Sequence, residues 1–357
     1  MRWFCSEKHE LHDPDREIRS GTPTNGFEVA RRARIIAGEL TKDPDFERGT
    51  LRTFDRECID RIHDPAMVDW LEGAWRESRP SSDFAEVIPD VFRHAGFGEG
   101  DSVGRAPKNS PMARLGYYSF DTMTPIVAGT YLASRSAVDV ALSALERTLS
   151  TGEVTYGLCR PPGHHASTAM IGGYCYFNNA AIVGAELARR LDGPVAIIDV
   201  DYHHGNGTQS IFYHRDDVFY VSLHGAPDRA FPYFLGYGDE RGSGRGAGWN
   251  HNVELPKGCS DREYLEHLRR VLDLVAQKDV VGVVISLGVD TYENDPISDL
   301  GLTKDAYHPM GRALAGLGVP TVVVQEGGYD QIELGQNVRS FLRGIANLDE
   351  ASGTVVW

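Results

Sequence analysis

Four short runs of this chain are almost continuously apolar and rich in β-branched residues: PVAIIDV (194–200), DVFYVSLHG (217–225), VVGVVISLG (280–288) and VPTVVVQEGG (319–328). A strand with one wet face alternates polar and apolar side chains. Runs without that alternation read as strands buried on both faces, as in a parallel sheet covered by helices. Helical patterns lie before and between them, at 134–149, 178–191 and 261–277. The alternation predicts an α/β fold, with a mainly parallel β-sheet flanked by helices. Two stretches break the rhythm. Residues 77–112, rich in Pro, Gly, Ser and charge, predict a loop insertion, and RGSGRGAGWN (241–250) a glycine-rich connection. No linker divides the chain, so residues 1–357 are expected to form a single domain.

Each apolar run ends in an unusual polar group. Asp201, His203 and His204 follow the first, His224 closes the second, Asp290 follows the third and Tyr329 the fourth. In open α/β sheets ligands bind beyond the carboxyl ends of the strands, so these residues are expected at one site there. Singly, each has a bland explanation, such as a helix cap or a turn; the fourfold recurrence does not. Asp201 and His203 are two apart and would project from one face of extended backbone. With Asp290 they offer an imidazole and two carboxylates, a set that suits zinc, iron(II) or cobalt and leaves positions open for water and substrate. Two carboxylates would neutralise a divalent ion, so a separate general base is needed.

The stretch LCRPPGHHA (158–166) supplies one. His164 and His165 sit together behind Pro-Pro-Gly, where a loop can aim both as acid and base groups. Asp199 would favour a charged imidazolium, whereas the Asn206 amide carries no charge, so the two histidines can hold different pKa values. Tyr329, protonated at neutral pH, can donate to a developing oxyanion.

Composition narrows the class of function. The net charge of −15 argues against a nucleic-acid partner, and an acidic surface suits a small cationic one. Five scattered cysteines without a CxxC pair argue against a disulfide framework or a thiolate metal site. No apolar run approaches the ~18 residues of a membrane span, and the first residues lack a signal pattern, so a cytoplasmic protein is expected.

Taken together, RPPGHHA, GGYCYFNNAA, DVDYHHGNGTQ, SLHG, SLGVDTYENDP and QEGGYD, in that order, resemble the histone deacetylase family, with its arginase/deacetylase fold. Within it the likeness is closest to the bacterial acetylpolyamine amidohydrolases. The resemblance implies a zinc-dependent amidohydrolase that removes acetyl groups from acetylated amines, most simply acetylputrescine or acetylcadaverine. A protein acetyl-lysine deacetylase, or another small-amide hydrolase on the same scaffold, is the alternative. It implies zinc on Asp201, His203 and Asp290, His165 as general base, His164 paired with Asp199, His165 partnered by Asn206, and Tyr329 polarising the scissile carbonyl. Tyr174, Phe231, Gly173 and Ile297 would line a narrow channel. Structural K⁺ is implied at Asp199, Asp201, His203, Ser222 and Leu223, and at a second site involving Phe212, Arg215 and Val218. The 77–112 insertion would build a homodimer interface.

Two departures from related patterns stand out. Binuclear hydrolases of the arginase type carry further aspartates where this chain has Gly205 and Gly288, so one divalent metal is expected. Acetylpolyamine amidohydrolases are expected to hold the distal ammonium with an acid at the channel mouth. Here YSFDTMTP (118–125) offers Asp121, with Met123 where that acid would stand. Asp121 substitutes for it, clamps backbone, or does neither.

Overall fold

The four apolar runs form strands where their composition places them. In the computed structural model, which describes residues 1–79, 85–94 and 106–350, ten strands follow in chain order. They are β1 (Arg2–Phe4), β2 (Arg16–Arg19), β3 (Thr22–Asn25), β4 (Glu47–Arg48), β5 (Thr155–Gly157), β6 (Val195–Asp199), β7 (Val218–Gly225), β8 (Asn250–Leu255), β9 (Gly282–Leu287) and β10 (Thr321–Gln325). Eight of them form one sheet in the order β4-β1-β5-β10-β9-β6-β7-β8. Every pairing in it is parallel, so the expectation of a mainly parallel sheet sharpens to a wholly parallel one.

Successive residues of a strand point to opposite faces, and both faces here are covered. Ile198, Ile285 and Val323 join a core with the helices Arg31–Lys42, Asp261–Ala276, Tyr307–Ala315 and Leu334–Ile345. Their neighbours Ile197, Val284, Val322 and Val324 join a second core with the helices Pro65–Ser78, Thr130–Thr151 and Asn179–Leu191. Double coverage is why these strands read as unbroken apolar runs.

The remaining pair, β2 and β3, forms a separate antiparallel hairpin that the sequence pattern did not reveal. Of the expected insertion at 77–112, residues 80–84 and 95–105 lie outside the described residues. Its first residues end the helix Pro65–Ser78 and its last open the helix Pro111–Tyr118. Val87 between them bridges to Ile126. The glycine-rich connection at 241–250 leads directly into β8.

Candidate active site

Five neighbouring strands, β5, β10, β9, β6 and β7, each send a loop to the same edge of the sheet. The loop after β6 carries Asp201 and His203, and the loop after β9 carries Asp290. Ligand atoms of the three lie within 4.8 Å of one another. His203 Nδ1 stands 2.9 Å from Asp290 Oδ2 and 3.3 Å from Asp201 Oδ1. Backbone amides fix the carboxylates from behind: Gly327 N–H donates to Asp201 Oδ2 at 2.8 Å, and Tyr202 N–H to Asp290 Oδ1 at 2.9 Å. Burial alone would lower the His203 pKa, yet its hydrogen bonds to the two carboxylates outweigh burial and lift it to about 9. The three residues thus converge on one point, and the nitrogen-plus-two-oxygen donor set fits a divalent cation. A side chain at Gly288 would overlap the Asp201 carboxylate, and one at Gly205 the Asp199 carboxylate. The fold therefore leaves no room at those positions for further ligands.

The two histidines behind Pro-Pro-Gly are buried with centroids 4.1 Å apart, and they titrate in opposite directions. Burial opposes the charge on His164, but Asp199, whose Oδ2 is 3.0 Å from Nδ1, and Asp201 prevail and raise it to about 10. His165 is pushed well below the ordinary histidine value by burial and by His164 and His203. Its Nδ1 lies 2.6 Å from Asn206 Oδ1. An amide oxygen only accepts, so Nδ1 carries the proton and Nε2 of the neutral ring keeps a free lone pair. One loop thus presents a charged imidazolium beside a neutral base.

That loop is anchored by Glu326, just past β10, whose Oε2 accepts from Gly163 N–H (2.7 Å) and His164 N–H (3.1 Å). Burial raises the Glu326 pKa to about 7, against the pull of His164. Tyr329 follows two glycines. Its backbone N–H donates to Asp295 Oδ2 at 2.7 Å, and its ring lies 4.6 Å from the Arg32 guanidinium carbon. Arg32, fully buried, donates to Gly328 O (2.6 Å), Glu326 O (2.7 Å) and Glu28 Oε1 (2.8 Å). Neither Arg32 nor Asp295 was found from sequence. Arg32 lies almost 300 residues from the loop it holds and carries no local signal, whereas Asp295 stood in view in the quoted SLGVDTYENDP stretch.

Above these groups opens a cavity of about 360 Å³ lined by His165, His203, Gly173, Tyr174, Phe231, Ile297 and Tyr329, among others. The Tyr174 and Tyr329 rings are 5.7 Å apart, and Phe231 packs edge-on against His165 at 5.1 Å. Tyr174 adopts a φ of 68° directly after Gly173 at 55°. A side chain at Gly173 would penetrate the His165 ring, so glycine is required there.

Asp121 does not line this cavity. It is buried, with its oxygens taken by the backbone N–H groups of Gly173 and Met123, so it clamps the Gly173–Tyr174 turn and is not a rim acid. Met123 does line the cavity. His224 also turns away: Nδ1 meets Ser222 Oγ at 2.7 Å and Nε2 meets Gly236 O at 2.8 Å. Ser222 and Leu223 lie on β7, with Ser222 in register with Asp199. Phe212, Arg215 and Val218 gather at the opposite, amino end of β7, where Arg215 N–H donates to Phe212 O and its guanidinium pairs with Asp217. No helix among the described residues is long and apolar enough to cross a membrane.

Comparison with known proteins agrees with this geometry. Residues 27–345 match the histone deacetylase domain. The chain is 41% identical over 339 residues to acetylpolyamine amidohydrolase 1 of Pseudomonas aeruginosa, covering 95% of this chain and 97% of that one. It is 39% identical over 350 residues to the acetylpolyamine amidohydrolase of Mycoplana ramosa, covering 97% and 100%. The crystal structure of the acetylpolyamine aminohydrolase from Burkholderia pseudomallei superposes with a TM-score of 0.90 at 34% identity, over 98% of this chain and 99% of that one. The family match, the sequence identities and the superposition agree: this chain belongs to the histone deacetylase family of metal-dependent deacetylases.

Proposed function

We propose that the protein hydrolyses the acetamide of small linear acetylated amines of the acetylpolyamine class, releasing acetate and the free amine. The observation that carries this reading is the convergence of Asp201, His203, Asp290, a neutral His165, a charged His164 and Tyr329 on one narrow cavity. Asp201, His203 and Asp290 would hold zinc, with iron(II) or cobalt compatible with the same donors. Such an ion polarises the carbonyl and acidifies water. His165 takes the proton of the attacking water on Nε2 while Asn206 fixes its tautomer. Tyr329, whose pKa burial drives well above the ordinary value, keeps its hydroxyl proton and donates it in a hydrogen bond to the carbonyl oxygen as charge develops there. His164, held cationic by Asp199, stabilises negative charge nearby, and the proton taken by His165 goes on to the leaving nitrogen. Tyr174 and Phe231 confine a linear chain.

Structural K⁺ at Asp199, Asp201, His203, Ser222 and Leu223, and at the 212–218 turn, belongs to the same reading, as does a cytoplasmic location, in keeping with five free cysteines. So does a homodimer through residues 77–112, whose described part exposes Val91 and Met112.

The test is kcat/KM of zinc-loaded protein for N-acetylputrescine, N-acetylcadaverine and an acetyl-lysine peptide. The small amides should exceed the peptide by about a hundredfold, roughly 3 kcal/mol of transition-state discrimination. A peptide that matches them makes the protein a lysine deacetylase instead.

A further inference from the structure

The aromatic lining of the cavity does not stop at its mouth. Phe231 packs edge-on against His165 at 5.1 Å. Tyr233 follows it at 6.2 Å, ring centre to ring centre, and Phe234 follows Tyr233 at 6.4 Å. Tyr233 lines the cavity and is also 49% exposed, so it stands where the cavity opens, and Phe234 beside it is 86% exposed. Leu235 and Tyr237 are exposed too, and so dense a run of exposed apolar side chains beside a cavity marks a binding surface. The backbone beneath is tied down. Tyr233 sits at a φ of 67°, a left-handed conformation that a tyrosine seldom adopts. Its N–H donates to Ala230 O at 3.0 Å, its carbonyl accepts from the Tyr237 hydroxyl at 2.9 Å, and Phe234 N–H donates to Pro232 O at 2.8 Å. Both rings are therefore presented on a fixed turn.

Their spacing suits one kind of ligand. An extended saturated chain advances about 1.2 Å per bond, so amines separated by three or four methylenes stand about 5–6 Å apart. That is close to the ring-to-ring step. With the acetamide of a polyamine at His165 and Tyr329, the first ammonium would meet Tyr233 and the second Phe234, and aromatic rings attract cations. The two arginines of the cavity wall are balanced by carboxylates, Arg19 by Glu17 (3.4 Å) and Arg229 by Asp299 (3.0 Å). We propose that Tyr233 and Phe234 form a cation-reading track that extends the channel and selects acetylated triamines over acetylated diamines, with Phe234 as the specificity-determining residue. The inference rests on the deacetylase reading above and narrows its substrate class.

The matched probes are N8-acetylspermidine and N-acetyl-N′-butylputrescine. They share the acetamidobutyl arm and its first ammonium, and a methyl group in the second replaces the terminal ammonium of the first. Zinc-loaded wild type should favour the spermidine by about two- to fivefold in kcat/KM, the worth of a cation over an exposed ring. Phe234→Leu, which keeps apolar bulk without the ring, should bring the ratio towards unity, and Phe234→Trp should raise it. Both substrates are compared on the same protein, so any effect on the chemistry itself divides out. Tyr233→Leu should lower N-acetylputrescine against its uncharged isostere N-pentylacetamide by a similar factor. A wild-type ratio of one overturns the proposal while deacetylation stands. So does either ratio left unchanged by its leucine substitution, as rings covered by a second copy of the chain would give. If no acetamide is hydrolysed, the deacetylase reading falls. Calorimetric binding of the two matched probes to wild type and Phe234→Leu then decides the role of the track, and equal affinities in wild type overturn it.

Discussion

Replacing Arg32 by methionine removes a buried side chain that ties the Tyr329 loop to the helix Arg31–Lys42. Methionine fills much of the same space but cannot make the three hydrogen bonds to Gly328 O, Glu326 O and Glu28 Oε1. Hydrogen bonds from a charged donor are each worth about 1.5–3 kcal/mol, and a buried ion pair broken on one side costs about 3–5 kcal/mol. Here Arg160 remains beside Glu28, its Nε 2.9 Å from Oε1, so the carboxylate keeps one cation. The expected loss is accordingly about 3–5 kcal/mol, not the sum of all contacts, and within reach of a domain stable by about 5–15 kcal/mol. The catalytic effect comes separately. Tyr329 loses the guanidinium against its ring and the fixed carbonyl before it, so its hydroxyl should miss the carbonyl oxygen part of the time. Complete loss of such a donor costs about 10²–10³ in kcat, and loosening it should cost about 10–100. Urea unfolding at fixed zinc reads the first quantity and kcat against KM the second, with KM expected to change little. Arg32→Lys, which keeps the charge but not the fork, should recover part of the stability and less of the rate. An unchanged urea midpoint together with an unchanged kcat would refute the reasoning.

Gly288→Ala should abolish divalent-metal binding in a chain that still folds, because the new methyl displaces the Asp201 carboxylate; metal content by mass spectrometry checks it. Tyr329→Phe should retain the metal and lose about 10²–10³ in kcat, whereas retained activity would remove Tyr329 from the chemistry. Stability should fall below pH 6.5, where the buried histidines outnumber Glu326, whose raised pKa works in the opposite sense. Burial lowers His12 to about 3 and both His63 and His224 to about 4, so the unfolded chain binds protons that the folded one refuses. Their stabilisation is complete above 6.5 and lost as pH falls towards 4, at about 1.4 kcal/mol per pH unit per histidine. His164 acts oppositely: raised to about 10, it contributes fully below 6.5 and loses its contribution as pH rises through 10. Urea midpoints that stay flat from pH 7 to 4.5 would contradict the sign.

What could be read from the chain follows physical lines. β6, β7, β9 and β10 were legible because burial on both faces demands uninterrupted apolar residues. β1, β4 and β5 are two or three residues long, too short to carry a pattern. β8, NHNVEL, is polar at four of its six positions and sits at the sheet edge. Asp201, His203, Asp290 and the His164–His165 pair stood out because polar residues closing apolar strands have few other reasons to be there. Arg32 was invisible. It acts through the approach of the helix Arg31–Lys42 to a loop almost 300 residues away, which local spacing cannot express. Asp121 was ambiguous in sequence because a carboxylate that holds two backbone amides and one that holds a ligand are written with the same letter.

The place of β10 in the sheet also governs the order in which this molecule can be made. Strands β4, β1 and β5 form one block and β9, β6, β7 and β8 another; β10 is the strand between them, paired on one side with residues 155–157 and on the other with 283–287. It is also the last of the ten strands in chain order. Until residue 325 has emerged, the half that carries His164 and His165 has no backbone ladder to the half that carries Asp201, His203 and Asp290. A nascent chain therefore has its base and its metal ligands on two blocks of sheet with no ladder between them, each exposing an open strand, and relies on a closing step of long sequence separation. The same strand that delivers Tyr329 acts as the keystone of the arch, and catalytic competence waits for it.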